Sequence, residues 1–260
     1  MKAKEIKAKS RILIKNIVTK ADLILLFTAV SLIFFSALPF LLDKLDEITG
    51  LRVLLYSVNR YIYPVCLTVF MLLITLAFLM TLSSVNLGEK AWFAARNRKY
   101  KNGANRLCFW FKPSSSVKAT RLYAAVFTLK SIWTVIFLLP AALMFAAVVA
   151  LAMSGGIEVY LFIALIGGGI LLTVTGLIFR FIVIQRYFLA PHLMASDPKL
   201  GVIQAIKRSK NLLDGHIFEV VKFKLSFLPW IFPSLLIVPI IYIYPFYKQS
   251  CSVLANEICL

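Results

Sequence analysis

The sequence has few acidic residues, few histidines and no cysteine pair at metal-binding spacing. Its 260 residues include eleven Asp and Glu, two His and four Cys. His192 and His216 belong to no H-E-x-x-H motif, so a zinc protease is not expected. The sequence also lacks a P-loop, a dinucleotide-binding fingerprint and a Gly-x-Ser-x-Gly motif. These absences predict a protein that is not an enzyme and that holds no metal or cofactor.

Apolar residues make up 61% of the chain and charged residues only 15%, against about 25% charged in soluble proteins. They are gathered in stretches that reach the roughly 20 residues needed to cross a bilayer. A soluble fold is therefore excluded, and the prediction is an all-α, polytopic transmembrane helical bundle. The expected spans are residues 21–42, 62–85, 119–153, 157–189, 216–235 and 237–256. Prolines break the last stretch, 217–247, so it could cross once or twice, and the bundle has about six spans, with five possible.

The bases alternate between the connecting segments. Residues 1–20 hold seven Lys or Arg against Glu5, and residues 86–121 hold nine against Glu89, whereas residues 43–60 are balanced. Cytoplasmic loops are the ones enriched in Lys and Arg, so the N-terminus is expected in the cytoplasm. The chain thus divides into a basic amphipathic juxtamembrane segment, 1–20, and one bundle domain, 21–260. The first apolar run is longer than that of a signal peptide, so an uncleaved span is predicted. No organelle-targeting or lipidation signature is present, so a bacterial plasma membrane is the predicted location.

Two cations fall inside the long third and fourth spans. Lys130 and Arg180 each lie 25 residues from Gly155, which is the middle of the connecting turn. At 1.5 Å per residue both lie about 37 Å from the turn, beyond a hydrocarbon core of about 30 Å. We expect them to be anchors at the inner interface; a buried charge in a substrate pathway is the alternative.

The fourth span also carries small residues four apart, at Ala164 and Gly168 and at Gly169 and Thr173. This spacing lets helix backbones approach closely. Packing against the second or third span is the favoured interpretation, and self-association is the alternative.

Several segments mix apolar and basic residues. We expect residues 1–20 to lie on the inner leaflet as an amphipathic helix, and residues 198–214 to form another such helix under the bundle. The aromatic and basic segments 91–99 and 109–112 are predicted to lie at the membrane interface. These amphipathic cytoplasmic elements favour a lipid surface as the partner and not a nucleic acid.

Residues 185–198 read QRYFLAPHLMASDP and are followed by AIKRS at 205–209 and by Gly215. This segment resembles the C-terminal signature of an uncharacterised, mainly Firmicute family of bacterial integral-membrane proteins catalogued as a domain of unknown function. The membrane region fused to some glycerophosphodiester phosphodiesterases is similar. The specific match covers residues 184–247. The resemblance implies a six-span bundle with both ends inside, and it implies no activity.

The same motif has a physical interpretation. Pro191, after Ala190, should break the fourth helix, and Asp197, before Pro198, should cap the next one. Ser209 could bond a backbone carbonyl or a lipid headgroup, and Gly215 should end the helix.

Five bases near the predicted inner interface are the candidate contacts for an anionic lipid headgroup or a partner: Lys130, Arg180, Arg186, Lys222 and Lys224. Glu219 is expected to pair with Lys222 at i, i+3. The partners predicted are the lipid bilayer and anionic phospholipid, with a membrane protein or a second copy of the chain left open.

Two functions from different classes fit these features. The first is a non-enzymatic scaffold or accessory protein whose basic cytoplasmic face binds anionic lipid or a partner protein. The second is a transporter or exporter component that moves a small molecule or peptide. The sequence has no inverted repeat and no mid-membrane charge, which favours the first.

Overall fold

The structure is a computed structural model that describes residues 3–14, 18–50, 61–97, 108–153, 158–230 and 237–259. Every regular element in these ranges is a helix, so the predicted all-α class is confirmed. The α-helices are α1 (Ala3–Ile14), α2 (Val18–Thr49), α3 (Ile62–Asn97), α4 (Pro113–Met153), α5 (Val159–Ile184), α6 (Ala190–Ser196), α7 (Val202–Leu213), α8 (Ile217–Leu225) and α9 (Ile237–Cys259). Short 3-10 turns cover Gln185–Tyr187 and Leu228–Trp230.

Three helices in the described ranges, α3, α4 and the chain from α5 to α6, are long and apolar enough to cross a membrane. A shorter apolar stretch, Thr28–Leu41, lies in α2. The side chains of residues 62–82, 127–153 and 158–184 are mostly exposed, large and apolar, as expected for helices that face lipid. We call these three ranges the apolar zone. They fit the predicted membrane protein, whereas the count of six spans is not confirmed.

The stretch predicted to cross at 216–235 is not a continuous helix in its described part. Helix α8 has nine residues, about half the length that a span needs, and a 3-10 turn follows it. Val220, Phe223 and Phe227 are buried within the protein. Residues 231–236, including Pro233, lie outside the described residues.

Helices α4 and α5 form the predicted hairpin and make the most extensive helix contact of the structure. Their connecting turn, 154–157, lies outside the described residues. A Cβ added at Gly176 would lie 2.4 Å from the Phe137 carbonyl oxygen, and one at Gly168 would lie 2.7 Å from the end of the Met144 side chain. The small residues of α5 therefore allow close packing against α4, as the favoured interpretation predicts.

At one end of the apolar zone the chain forms a second region, which we call the head. It comprises residues 3–14, 83–97, 108–126, 185–230 and 242–259, and two groups of buried apolar side chains lie in it. The first includes Ile6, Leu213, Phe223 and Phe246. The second includes Leu87, Trp110, Leu122 and Met194. The head therefore has its own core, beyond what the membrane helices alone require.

The first and last helices meet in the head. Helix α1 packs against α9, and Lys9 Nζ lies 2.5 Å from Glu257 Oε1. The two ends of the described chain thus lie on the same side of the apolar zone. The arrangement agrees with the implication of the resemblance that both ends share one side.

In two segments predicted to lie at the membrane interface, particular apolar residues are covered by protein. The aromatic side chains of Trp110 and Phe93 are 1% and 3% exposed and lie inside the head, not at a lipid interface. In helix α1, Ile6 is covered by the core shared with α9, so this side chain does not face lipid. An apolar face gains the same transfer free energy from protein as from lipid, so its composition alone does not identify what covers it.

The two isoleucines of α1 differ in burial and allow a matched test of its docking. Ile6 is 1% exposed and Ile12 is 79% exposed. We expect Ile6→Ala to weaken the docking of α1 by about 2–5 kcal/mol and to expose the helix to trypsin. Ile12→Ala should leave the cleavage rate unchanged. Equal trypsin resistance of both variants in detergent would contradict the docking of α1 on α9.

The connector between α5 and α7 departs from the predicted geometry. Helix α5 ends at Ile184, before Pro191, and Pro191 instead lies in the first turn of α6. A proline has no N–H to lose in a first turn, which explains this placement. The amphipathic helix begins at Val202 instead of 198, because Asp197 Oδ1 accepts a hydrogen bond from Lys199 N at 3.0 Å and closes a turn. Asp197 therefore does not cap the start of α7; it is the C-cap of α6, where its backbone N–H donates to the Leu193 carbonyl oxygen at 2.9 Å.

Two other details of the connector are confirmed. Ser209 Oγ donates to the Arg186 carbonyl oxygen at 2.8 Å. Of the two predicted partners, a backbone carbonyl and a lipid headgroup, this serine thus bonds the backbone carbonyl. Gly215 follows α7 with a φ of 89°, a conformation that glycine adopts without strain. These contacts fix α7 against the end of α5.

Candidate functional site

A cavity of about 230 Å³ lies in the head where α3, α4, α6, α8 and α9 meet. Four lysines line it, one from each of α3, α4, α8 and α9, and we call it the lysine cavity. They are Lys90, Lys130, Lys224 and Lys248. The other lining residues are Phe93, Tyr123, Val126, Ile184, Gln185, Tyr187, Phe188, Pro191, His192, Tyr247, Cys251 and Ser252.

Lys90 reaches the cavity because α3 continues past the apolar zone into the head. Its Nζ donates to Tyr123 Oη at 3.0 Å and lies 3.4 Å from the Asn86 carbonyl oxygen. Both acceptors are neutral. Burial, and next the positive charge of Lys248, lower the pKa of Lys90 to about 8. Among the described residues Lys90 thus has neutral hydrogen-bond acceptors and forms no direct ion pair.

Lys248 has the counter-charge that Lys90 lacks. Its Nζ lies 2.8 Å from Glu89 Oε2, and the Glu89 side chain is 2% exposed. Lys248 also lies 4.9 Å from the Tyr244 ring centroid. Within the described residues, the second oxygen of Glu89 has no hydrogen-bond partner. This buried ion pair ties α9 to α3.

Lys224 is positioned by the 3-10 turn that ends α5. Its Nζ donates to Gln185 Oε1, and it lies 4.8 Å from the Phe188 ring centroid. The Gln185 side chain is itself buried. A neutral amide and an aromatic face thus receive this cation, and both favour a charged ammonium group.

Lys130 and Arg180 lie on neighbouring turns of the hairpin. Arg180 Nε donates to Thr134 Oγ1 at 2.7 Å, one helical turn from Lys130. This hydrogen bond places Arg180 within one turn of Lys130, in agreement with the equal distance of the two residues from Gly155 in the sequence. Only Lys130 of the two lines the lysine cavity.

The other predicted contacts lie apart from the cavity. Lys222 is exposed, and Arg186 contributes its carbonyl oxygen to Ser209. The expected pairing of Glu219 with Lys222 is not observed; Glu219 Oε1 lies 3.4 Å from His216 Nδ1 instead. The structure therefore brings Lys130 and Lys224 together and leaves Arg180, Arg186 and Lys222 outside.

The sequence interpretation missed Lys90, Lys248, Glu89 and His192. The second span is predicted to end at 85, which places Glu89 and Lys90 in the connecting segment that follows it. The contact between Lys248 and the Tyr244 ring could have been predicted, because residues four apart lie on one face of a helix.

His192 is buried and lines the cavity, with its ring 5.2 Å from that of Phe188. Burial and then the charges of Lys90, Lys248 and Lys224 lower its pKa well below the usual value. The imidazole is therefore neutral at pH 7 and contributes hydrogen bonding without adding charge. No three His, Cys, Asp or Glu side chains group as metal ligands in the described ranges.

The lining groups are mainly cations, hydroxyls and amides. They can hold an anion through charge-assisted hydrogen bonds. The described lining residues include no carboxylate that could act as a general acid or base beside the neutral imidazole. Binding of an anion is thus one chemistry that this arrangement can perform.

Comparison with protein families gives one match. Residues 1–254 match the model of a family described as "Protein of unknown function (DUF975)", so the chain belongs to this family. The predicted resemblance to a domain of unknown function is confirmed, and it extends over nearly the whole chain instead of residues 184–247 alone. The searches of curated proteins and of solved structures found no match.

Proposed function

We propose that this member of a family of unknown function is a non-enzymatic integral membrane protein, a scaffold or accessory protein whose basic face binds anionic phospholipid. One observation carries the proposal. Exposed bases are gathered on the head, at one end of the apolar zone. In the plasma membrane of a bacterium this end would face the cytoplasm, where loops rich in Lys and Arg are retained and where anionic lipid is the nearest partner.

Helix α7 carries the most concentrated part of this face. Ala205, Ser209 and Leu213 are buried against the head, each four residues from the next. The bases Lys207, Arg208 and Lys210 are exposed. A base close to an anionic membrane surface contributes about 1 kcal/mol, so the three together contribute roughly 3 kcal/mol. The described part of α7 has no acid to offset them.

The charge of α7 can be reversed without touching the core. We expect the triple variant Lys207→Glu, Arg208→Glu, Lys210→Glu to retain at least about tenfold less anionic phospholipid through purification in mild detergent, because roughly 3 kcal/mol of attraction is lost and about 1.4 kcal/mol corresponds to a factor of ten. Mass spectrometry of the lipid extracted from the purified protein measures the change. Lys44→Glu is the matched control, since Lys44 is an exposed base in α2 that pairs with Glu47.

Two results would contradict the proposal. One is equal retention of anionic lipid by the wild type and the triple variant. The other is saturable, substrate-selective flux when the protein is placed in liposomes, which would identify a transporter. Retention of a specific membrane protein in place of lipid, lost in the triple variant, would assign the basic face to a protein partner.

A further inference from the structure

The lysine cavity contains more positive charge than the surrounding protein neutralises. Glu89 compensates Lys248, and within the described residues no ion pair forms with Lys90, Lys130 or Lys224. These three lysines are partly buried. A partly buried ammonium group without a counter-charge is unfavourable, and neutral acceptors offset only part of that penalty. Each ammonium group also has three N–H donors, and Tyr123 and Gln185 accept from one lysine each. Further N–H donors of these lysines are thus available to a ligand.

Neutral donors lie beside these lysines. Ser252 Oγ accepts a hydrogen bond from Asn97 Nδ2 at 3.0 Å, so its own hydroxyl proton is left to donate. Tyr187 Oη accepts a hydrogen bond from Trp133 Nε1 at 3.1 Å, so its hydroxyl proton is likewise left to donate. Cations and hydroxyl donors around one space are the groups that hold a phosphate oxygen.

The volume and charge of the cavity limit the ligand. The space of about 230 Å³ is many times the 10–15 Å³ or so that one water molecule needs, so it can hold a phosphate group with a small ester substituent. Three uncompensated cations match the charge of a phosphate better than that of a single carboxylate. Lys130 and Ile184 bring one side of the cavity to the border of the apolar zone, where lipid headgroups lie.

We propose that the lysine cavity binds one phosphate group through Lys90, Lys130 and Lys224, either as free phosphate or as the headgroup of an anionic phospholipid. The proposal deepens the proposed function, on which it rests, by naming a single saturable site that is separate from the exposed bases of α7. Lys248 stays paired with Glu89 and closes one side of the site.

Calorimetric titration of the purified, detergent-solubilised protein tests the proposal with two probes. Inorganic phosphate reports a free phosphate source, and a soluble short-chain phosphatidylglycerol reports a lipid source. We expect one equivalent of at least one probe to bind. Lys224→Met should weaken binding by about tenfold or more, since a hydrogen bond to a charged group is lost. Lys222→Met, on the exposed side of the same helix, should leave binding unchanged.

A second measurement separates a ligand site from a structural role. Without a ligand, the triple variant Lys90→Met, Lys130→Met, Lys224→Met should unfold at a temperature equal to or above that of the wild type, because uncompensated charges are removed. It should bind neither probe. Undiminished binding by the triple variant, or no saturable binding of either probe by the wild type, would overturn the proposal.

The two proposals fail separately. Reversing the charges of α7 should reduce lipid retention and leave the one-equivalent titration unchanged. If the titration shows no saturation while the α7 variant still loses lipid, the phosphate site in the lysine cavity is wrong and lipid binding by the basic face stands. If the titration saturates at one equivalent while the α7 variant retains lipid, the phosphate site stands and lipid binding by the basic face is wrong.

Discussion

Replacing Glu89 with alanine is expected to lower the free energy of unfolding by about 3–5 kcal/mol. The Glu89 side chain is 2% exposed and lies 2.8 Å from Lys248 Nζ. Its removal leaves the Lys248 ammonium group, whose side chain is only 22% exposed, without a counter-charge and close to a second cation, Lys90. The head should therefore lose the link between α3 and α9, and chemical unfolding of the purified protein in detergent measures the loss.

An exposed pair of the same kind is the control for Glu89. Lys44 and Glu47 lie 2.6 Å apart with side chains 54% and 69% exposed. Glu47→Ala should therefore change the free energy of unfolding by at most about 1 kcal/mol. The double variant Glu89→Leu, Lys248→Met should recover much of the stability, because no charge stays buried. Equal effects of Glu89→Ala and Glu47→Ala would show that the buried pair contributes little.

Replacing Gly176 with alanine should destabilise the hairpin by about 1–3 kcal/mol, and leucine at this position should prevent native packing. An added Cβ would lie 2.4 Å from the Phe137 carbonyl oxygen, which is backbone and has no rotamer by which to move away. Helices α4 and α5 would have to separate in the part of the apolar zone that lies next to the head. The thermal unfolding midpoint in detergent, followed by size-exclusion chromatography, measures this effect.

Gly167 provides the control in the same helix. A Cβ added there meets no atom within 4 Å. Gly167→Ala should leave the unfolding midpoint unchanged or raise it slightly, since alanine favours a helix over glycine by about 1 kcal/mol. If both alanine variants behave alike, the close approach of α5 to α4 at Gly176 is wrong.

The membrane helices could be predicted from the sequence because their signal is local. A run of apolar residues indicates a span whatever the rest of the chain does, and counting residues from Gly155 placed Lys130 and Arg180 at one depth. The α4–α5 hairpin followed from the same counting. Where a run was interrupted by charge and proline, as at 216–235, the pattern no longer distinguished a span from α8 and the turn after it.

The head could not be predicted in the same way, because its contacts join distant parts of the chain. Glu89 and Lys248 are 159 residues apart, and neither has a neighbour in sequence that indicates the other. Trp110 and Phe93 have the composition of interfacial aromatics, yet protein covers them. Lys130 and Lys224 could be identified as functional candidates from their predicted depth in the membrane. Lys90 and Lys248 could not, because their place in the cavity depends on how far α3 and α9 extend into the head.

The contact between Lys9 and Glu257 joins residues 248 positions apart, and it sets an order in time. At synthesis rates of about 5–20 residues per second, the ribosome makes Lys9 on the order of 12–50 seconds before Glu257. During that interval Ile6 lacks the α9 residues that cover it in the folded protein. The lysine cavity also includes Lys248 from α9, so the proposed phosphate site requires a chain that has been translated through this helix.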